Sequence, residues 1–287
     1  CIKALPNEAF LYLGDHRRAP YGHRDNQEIL HFTTEAVAFL FDQGCDLVVL
    51  ACNTAAAVAL RCIQQEWLPL NAPDKRVLGL LVPTIEAVTG QRWSNQVVEE
   101  PEKMKRHVIG VFATPKTVAS GSYVEEISKR APHIDVVQVA CPGLVSAIER
   151  RAPADELTAL VTGFVSQLQG DLKGRSLDAV LLGCTHFPLV ERVFKRCLPS
   201  DVMLISQPEI VAKSLKAYLE SHSRFKRQDR SSKDVTYVTT GDVRHVMKTA
   251  SNLVALDAEF HRVDLRPYAA SVSSVWPGAS PPSMALK

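Results

Sequence analysis

The chain has 287 residues, of which 46% are hydrophobic, so it is long enough to form two domains with their own cores. Its 33 basic and 31 acidic residues nearly balance at +2, which gives no electrostatic reason to expect nucleic acid or an anionic membrane as a partner. No apolar stretch approaches the roughly 20 residues that cross a bilayer, and we expect no signal peptide. Seven cysteines without zinc-like spacing indicate reduced thiols, a cytoplasmic protein and no metal site.

Apolar runs alternate with amphipathic stretches along the chain, which is typical of a parallel α/β architecture. Strands are predicted at Ala9–Leu13, Asp46–Leu50, Val77–Leu81, Val108–Phe112, Val136–Val139, Asp178–Leu182, Val202–Ile205 and Val235–Thr239. Helices are predicted at Asn26–Gln43, Thr54–Gln65, Gly121–Arg130, Leu144–Arg150, Ala154–Gln169 and Pro208–Glu220.

The polar stretch Arg92–Arg106 predicts a surface crossing between two units. We therefore expect residues 1–95 together with 208–265 to form a first α/β domain, and residues 105–207 to form a second. The charged stretch Ser221–Asp234 predicts a solvated loop. Residues 266–287, rich in proline and serine, predict a disordered tail.

Two segments share one sequence pattern around a cysteine. Asp46–Thr54 and Asp178–His186 each read as an acidic residue, four apolar residues, a small residue, a cysteine and then hydrogen-bonding side chains. The apolar runs predict buried parallel strands, and open α/β sheets build their sites where such strands end. The chain is therefore predicted to present two thiols, Cys52 and Cys184, from equivalent strand ends.

A thiol acts as a base only when it is ionised, and the N-terminus of a helix lowers its usual pKa of about 8.5. Both cysteines are predicted to lie at such an end. Taken singly, each is more often an inert core cysteine. The duplication reverses this, because packing has no reason to keep cysteine and its polar neighbours in both halves. The other cysteines are predicted to be packing residues: Cys1, Cys45, Cys62, Cys141 and Cys197.

Polar side chains beside each thiol could hold a small zwitterion through charge-assisted hydrogen bonds. They are Asn53 and Thr54 after Cys52, and Thr185 and His186 after Cys184. The alternative, helix capping, is compatible with binding and remains open. His186 could shuttle the proton of the second thiol.

Several common cofactor signatures are absent from the sequence. There is no glycine-rich phosphate loop, no dinucleotide fingerprint and no metalloprotease motif, and nothing indicates a pyridoxal phosphate lysine. We expect no cofactor, so proton transfer at an amino acid would rely on the protein's own bases.

On these residues the sequence resembles the glutamate racemases, in the cofactor-independent aspartate/glutamate racemase superfamily. The matching motifs cover roughly residues 4–260: Leu5-Pro6-Asn7-Glu8, Gly14-Asp15, Pro20-Tyr21-Gly22, Ala51-Cys52-Asn53-Thr54, Ala140-Cys141-Pro142, Leu182-Gly183-Cys184-Thr185-His186-Phe187-Pro188-Leu189 and Thr239-Thr240-Gly241-Asp242. The resemblance implies two doubly wound parallel-sheet domains related by a pseudo-twofold axis, with the active site in the cleft between them.

The resemblance also implies roles for single residues. Cys52 and Cys184 would be the two catalytic thiols, each acting on one enantiomer, with Glu149 and His186 assisting the second. The residues at substrate-contacting positions of the family would be Tyr21, Gly22, Asn53, Thr54, Thr185 and His186, with Thr114 and Thr117 from a threonine loop.

One departure from the family concerns the start of the chain. The family begins with a strand ending in Asp-Ser and a glycine-rich turn, and that segment is absent here. We expect the sequence to lack about 25 preceding residues, from the usual lengths of a strand and a helix.

The sequence thus predicts interconversion of L- and D-glutamate, which would supply D-glutamate for peptidoglycan. Aspartate racemase or another isomerase of the superfamily remains an alternative, as do an inactive amino-acid-binding protein and a cysteine hydrolase. The sequence does not decide between a monomer and a homodimer.

Overall fold

The computed structural model describes residues 1–90, 107–226 and 235–265. Its strands are β1 (Phe10–Gly14), β2 (Leu47–Leu50), β3 (Arg76–Gly79), β4 (His107–Ala113), β5 (Ile134–Ala140), β6 (Ala179–Leu182), β7 (Met203–Ile205), β8 (Val235–Thr239) and β9 (Phe260–Arg262). Its α-helices are α1 (Asn26–Asp42), α2 (Asn53–Cys62), α3 (Leu68–Asn71), α4 (Leu81–Thr89), α5 (Pro115–Ala119), α6 (Ser122–Arg130), α7 (Leu144–Glu149), α8 (Ala154–Leu172), α9 (Glu191–Cys197), α10 (Gln207–Ser221) and α11 (Val243–Val254).

Each predicted strand and helix corresponds to an observed one, with two differences among the strands. The predicted strand Val77–Leu81 was too long: β3 ends at Gly79, and Leu81 already begins α4. An apolar run does not by itself separate a strand from the buried start of a helix. The short strand β9 was missed, because only Phe260 of its three residues is buried. The predicted crossing 92–106, the tail 266–287 and part of the loop (227–234) lie outside the described residues.

The second half of the chain contains one continuous parallel sheet in the order β5-β4-β6-β7. Its central strand β6 is buried along its whole length, as expected for a parallel strand covered on both faces. Helices α8 and α9 cover one face, where Phe112 packs against Phe194 with ring centroids 5.1 Å apart. The other face packs toward the first half, so one core joins residues such as Ile63 and Val111.

The first half is built differently. Its strands form two separate parallel sheets, β1-β8-β9 and β2-β3. The return of β8 after the second half was predicted, and β8 pairs with β1 in parallel. All of these pairings are parallel, so the predicted α/β class with parallel sheets is confirmed. The domain boundaries at 95, 105 and 208 stay a prediction.

The carboxyl ends of four strands converge on one cavity between the halves. The residues that follow β1, β2, β4 and β6 are Asp15, Ala51, Thr114 and Gly183, and the cavity is lined at this end by the segments that they begin. This is the edge at which parallel α/β sheets place their ligands. The fold therefore brings the predicted site residues to one place.

Candidate active site

Cys52 lies where β2 turns into α2. It is the N-cap residue of α2, with extended backbone angles, as the sequence predicted. Backbone N–H groups of Thr54 and Ala55 and the Thr54 hydroxyl favour the thiolate, but burial outweighs them and raises the pKa of Cys52. The expected lowering of this pKa was therefore wrong, because desolvation of the charge is larger than the effect of the helix end.

Cys184 occupies the corresponding place after β6, two residues beyond Leu182, and it is buried. The intervening Gly183 allows a close approach, since a Cβ there would lie 3.2 Å from the Phe112 carbonyl oxygen and from the Tyr123 ring. A 3-10 turn follows, and α9 begins only at Glu191. The prediction that Cys184 also lies at the start of an α-helix was wrong.

His186 connects the second thiol to a carboxylate. Its Nε2 lies 3.0 Å from Oε1 of Glu149, a residue on α7. Burial lowers the pKa of His186, but hydrogen bonds to Cys184 and Glu149 prevail and raise it to about 9. The hydrogen bond from His186 lowers the pKa of Glu149 in turn. At neutral pH an imidazolium thus adjoins the Cys184 thiol on one side and is hydrogen-bonded to the Glu149 carboxylate on the other.

The two thiols share one cavity of about 1770 Å³. A negative charge on Cys184 is one of the causes that raise the pKa of Cys52, so the two sulfur atoms interact electrostatically. Repulsion between like charges disfavours the state in which both are ionised. One thiolate and one thiol would be the pair needed to remove a proton from one side of a carbon and return one to the other.

Three threonine hydroxyls meet between α2 and α5, and two of them, those of Thr54 and Thr114, belong to residues that line the cavity. Oγ1 of Thr54 lies 3.0 Å from Oγ1 of Thr114 and 3.3 Å from Oγ1 of Thr117. Thr114 caps α5, accepting a hydrogen bond from the backbone N–H of Thr117. The structure thus brings a residue of the first half into contact with two residues of the second, beside Cys52.

Asn53 is held in a buried hydrogen-bond network that the sequence did not reveal. Its Nδ2 donates to Oε1 of Gln207 at 2.7 Å, while its Oδ1 accepts from the Tyr123 hydroxyl at 2.8 Å and from Nε2 of Gln207. Nε2 of Gln207 also lies 3.0 Å from the hydroxyl of Thr84. Because its amide already has these partners, Asn53 anchors the start of α2. Gln207 is the first residue of α10 and was not among the predicted site residues.

Tyr21 and Gly22 lie in the loop after β1, on the first-half side of the cavity. The Tyr21 hydroxyl donates to Oδ2 of Asp15 at 2.5 Å, and Nε of Arg18 donates to the same oxygen at 2.7 Å. Burial, followed by the charge of Asp15, raises the pKa of Tyr21, which therefore stays a neutral donor. Gly22 faces Thr114, whose Cβ lies 3.8 Å from the position of an added Cβ.

Of the remaining predicted residues, Thr185 is exposed and lines the cavity. The cysteines predicted to be packing residues differ in burial. Cys141 is buried, its thiol donates to the Val139 carbonyl oxygen, and burial raises its pKa far above the usual value. Cys1 is exposed, so that prediction was wrong for it.

Two structural findings concern other classes of site. Within residues 1–90, 107–226 and 235–265, no three His, Cys, Asp or Glu side chains are grouped so as to bind a metal ion. In the same part of the chain, no helix has the length and apolar character that crossing a membrane requires.

A cavity lined by two thiols, each following a parallel strand, is a site of the kind that an amino-acid racemase needs, and the sequence comparison points to the same class of protein. The chain belongs to the Asp/Glu/hydantoin racemase family, whose model matches residues 3–215.

Similar proteins within this family are glutamate racemases. The chain is 44% identical over 229 residues to the glutamate racemase of Phenylobacterium zucineum, covering 78% of this chain and 81% of that one. It is 42% identical over 258 residues to the glutamate racemase of Roseobacter denitrificans, and this match covers 89% of this chain and 91% of that protein. The solved structure of a glutamate racemase isoform from Bacillus anthracis superposes on this chain with a TM-score of 0.77 at 30% identity. The superposition covers 92% of this chain and 91% of that one.

Proposed function

We propose that this protein interconverts L- and D-glutamate with Cys52 and Cys184 as the two bases. The observation that carries the proposal is that both thiols line one cavity and interact electrostatically, while His186 and Glu149 adjoin only the second. The glutamate racemases with 44% and 42% identity support glutamate as the substrate.

In one direction, the thiolate of one cysteine removes the α-proton and becomes a thiol, leaving a carbanion at Cα. The thiol of the other cysteine then donates its proton to the opposite face and becomes a thiolate. The enantiomer is released with the two cysteines in exchanged protonation states, and the reverse reaction restores them. This exchange needs no external acid, base or cofactor.

The carbanionic transition state requires hydrogen-bond donors that are already in place. In this proposal the hydroxyls of Thr54, Thr114 and Thr185, with Tyr21 and the backbone at Gly22, contact the substrate. Thr117 positions the hydroxyl of Thr114 by hydrogen bonding to it. Asn53 is a positioning residue, because its side chain is engaged by Gln207 and Tyr123.

The finer biological role follows from the reaction. D-glutamate made here would supply peptidoglycan synthesis, which places the protein in the cytoplasm with glutamate as its small-molecule ligand. Assembly as a homodimer belongs to the same proposal and is tested by the molar mass in solution.

The test is α-proton exchange of L- and D-glutamate in heavy water, followed by NMR, with aspartate as the competing substrate. We expect exchange with both glutamate enantiomers, and a fall of at least about 10³-fold in Cys52→Ala and in Cys184→Ala. Cys141→Ala is the matched control, since it removes a nearby thiol that is not proposed to act. Exchange that persists in both single variants, faster exchange with aspartate, or glutamate binding without exchange would contradict the proposal.

A further inference from the structure

Tyr123, on α6 of the second half, has the largest fully buried side chain among the described residues, with an exposed fraction of 0%. Its hydroxyl donates to Oδ1 of Asn53 at 2.8 Å, and Asn53 follows Cys52 directly in the chain. Its ring lies against Gly183, where an added Cβ would be 3.2 Å from the ring carbon Cε2. Gly183 directly precedes Cys184. One side chain therefore contacts the turns that carry both cysteines.

The hydroxyl of Tyr123 is held by hydrogen bonds whose directions can be assigned. Thr84 donates its hydroxyl proton to the Leu80 carbonyl oxygen at 2.6 Å, so its oxygen is an acceptor for Gln207. Nε2 of Gln207 also donates to the Tyr123 hydroxyl at 3.0 Å. Because the oxygen of Tyr123 accepts from Gln207, its own proton is directed to Asn53. The network therefore fixes where the Tyr123 hydroxyl points.

The four side chains of this network come from four helices, α2, α4, α6 and α10, and each has an exposed fraction of 2% or less. Buried hydrogen bonds of this kind hold their groups firmly, because no bulk water is present to replace a lost partner. A tyrosine side chain has a planar ring and only two torsions, so it becomes a rigid spacer once both of its ends are held. A displacement of one cysteine-bearing turn is therefore passed to the other through Tyr123.

Tyr123 contributes geometry and not a proton. Burial raises the pKa of its hydroxyl far above the usual value, and the charge of Cys184 raises it further, although the hydrogen bond from Gln207 acts in the opposite direction. The hydroxyl therefore stays neutral over the pH range in which a thiol ionises. Among the described residues, Cys52, Asn53 and Cys184 line the cavity, but Tyr123 does not. Any effect of Tyr123 on a molecule in the cavity is therefore exerted through these neighbours.

We propose that Tyr123 is a positioning residue that fixes the separation of the Cys52 and Cys184 thiols, with Gln207 holding its hydroxyl. This inference rests on the proposed function, in which one thiol removes the α-proton and the other returns a proton to the opposite face. Both sulfur atoms must then lie at the correct distance from one carbon. A displacement of about 1 Å can lower the rate of such a reaction about 10²-fold.

The first test is Tyr123→Phe, which keeps the ring against Gly183 and removes the hydrogen bond to Asn53. We expect kcat to fall about 10- to 10²-fold from L-glutamate and from D-glutamate alike, because both thiols act in each direction. KM should change less than about threefold, since Tyr123 does not line the cavity. The matched control is Tyr218→Phe, which removes the hydroxyl of a tyrosine on α10 whose ring stacks on His222. Its kcat should stay within about twofold of the parent value.

A double-mutant cycle tests whether the ring connects the two turns. Gly183→Ala places a methyl group 3.2 Å from the Tyr123 ring, which is closer than an ordinary contact, and should displace the ring. The methyl group also presses on the Phe112 carbonyl oxygen, but that effect is the same with and without the Tyr123 hydroxyl. We expect the loss of kcat caused by Gly183→Ala to be at least about threefold smaller in the Tyr123→Phe background than in the parent. Equal losses in the two backgrounds would mean that Tyr123 does not connect the turns.

A measurement that does not depend on turnover is the pH dependence of iodoacetamide alkylation, resolved for each cysteine by mass spectrometry. Backbone N–H groups at the start of α2 favour the Cys52 thiolate, and Asn53 is the first residue of α2. Loosening this turn in Tyr123→Phe should lower the thiolate fraction of Cys52 at pH 8 at least about threefold. The thiolate fraction of Cys184 should stay within about twofold, since the ring is kept. A parent without racemase activity would refute the proposed function, and these profiles would still decide whether Tyr123 positions Cys52.

Folding of each variant is checked by circular dichroism and thermal unfolding. If Tyr123→Phe does not fold, Gln207→Met, which removes the donor to the same hydroxyl, must give the same fall in kcat at unchanged KM. Three further outcomes would overturn the proposal. The first is an unchanged kcat in Tyr123→Phe, or an equal fall in Tyr218→Phe. The second is a raised KM at constant kcat, which would assign the network to substrate binding. The third is a fall of kcat in one direction only, or an unmoved alkylation profile of Cys52.

Discussion

The two cysteines occupy equivalent strand ends, yet their surroundings stabilise negative charge by different means. Cys52 caps a helix and faces neutral donors, the backbone N–H groups and the hydroxyl of Thr54. Cys184 is followed by a 3-10 turn and adjoins His186, which Glu149 holds in its charged form. A repeated sequence plan therefore does not imply repeated electrostatics.

The difference has a chemical consequence. A cation beside sulfur stabilises a thiolate more than neutral hydrogen bonds do. In the proposed reaction the direction in which Cys184 removes the proton therefore depends on His186, and the opposite direction depends on the neutral donors around Cys52.

Among substitutions of the residues around the two cysteines, the largest effect is expected from removing the cation. His186→Asn should lower the rate by about 10²–10³-fold, and more in the direction that begins with the Cys184 thiolate. Initial rates from pure L- and pure D-glutamate, measured by circular dichroism, report the two directions. Because the overall equilibrium constant is fixed, the asymmetry must appear in kcat and KM separately. Equal changes of both parameters in the two directions would contradict the assignment.

Glu149→Gln keeps the shape of the partner and removes its charge. We expect a loss of about ten- to thirtyfold, equivalent to about 1.5–2 kcal/mol for a hydrogen bond between charged groups. The basic limb of the pH–rate profile, which lies near pH 9 because of the pKa of His186, should move to lower pH. A matched control is Glu156→Gln, a partly exposed carboxylate paired with Arg150. An unmoved basic limb in Glu149→Gln would refute the role of the pair.

The same pair predicts a pH dependence of stability. The pKa of His186 is raised in the folded state to about 9, so its contribution is complete below about pH 6.5 and is lost as the pH rises through about 9. Allowing for partial exposure of both side chains, we expect about 1–2 kcal/mol. Urea unfolding between pH 6 and 9.5 should show this decline in the parent and a smaller one in His186→Asn. A parallel decline in both would show that other groups cause it.

On the Cys52 side, Thr54→Val removes one neutral donor while keeping the side-chain shape. The loss of one hydrogen bond to sulfur predicts a fall in rate of about tenfold. Thr54→Ser, which keeps the hydroxyl, should recover most of it. If Thr54→Ser were as slow as Thr54→Val, packing of the methyl group rather than the hydroxyl would be responsible.

The smallest effect is expected at Cys141, a thiol that is near Cys184 but bonded to a carbonyl oxygen. Cys141→Ala should change the racemisation rate by less than about twofold and the free energy of unfolding by about 1 kcal/mol. Thiol alkylation rates at pH 8 provide a second measurement, because a buried neutral thiol reacts slowly. A large loss of activity would mean that a third thiol takes part.

The sequence alone predicted the alternation of strands and helices and the two cysteine-bearing strand ends. These follow from local patterns, since an apolar run followed by polar residues marks a buried strand that ends at a sheet edge. It also predicted that Thr54, Thr114, His186 and Glu149 would belong to one site, through the resemblance to a family. The identity of that family was confirmed by comparison.

Only the tertiary structure decided how each site residue is held. The pKa of Cys52 depends on burial, which sums contributions from the whole fold and cannot be read from the helix that follows the residue. The amide of Asn53 is engaged by Gln207, which is 154 positions away in the chain. The pairing of β1 with β8 likewise exists only once distant segments of the chain are placed, because the pairing of a strand edge is a property of its neighbours in space.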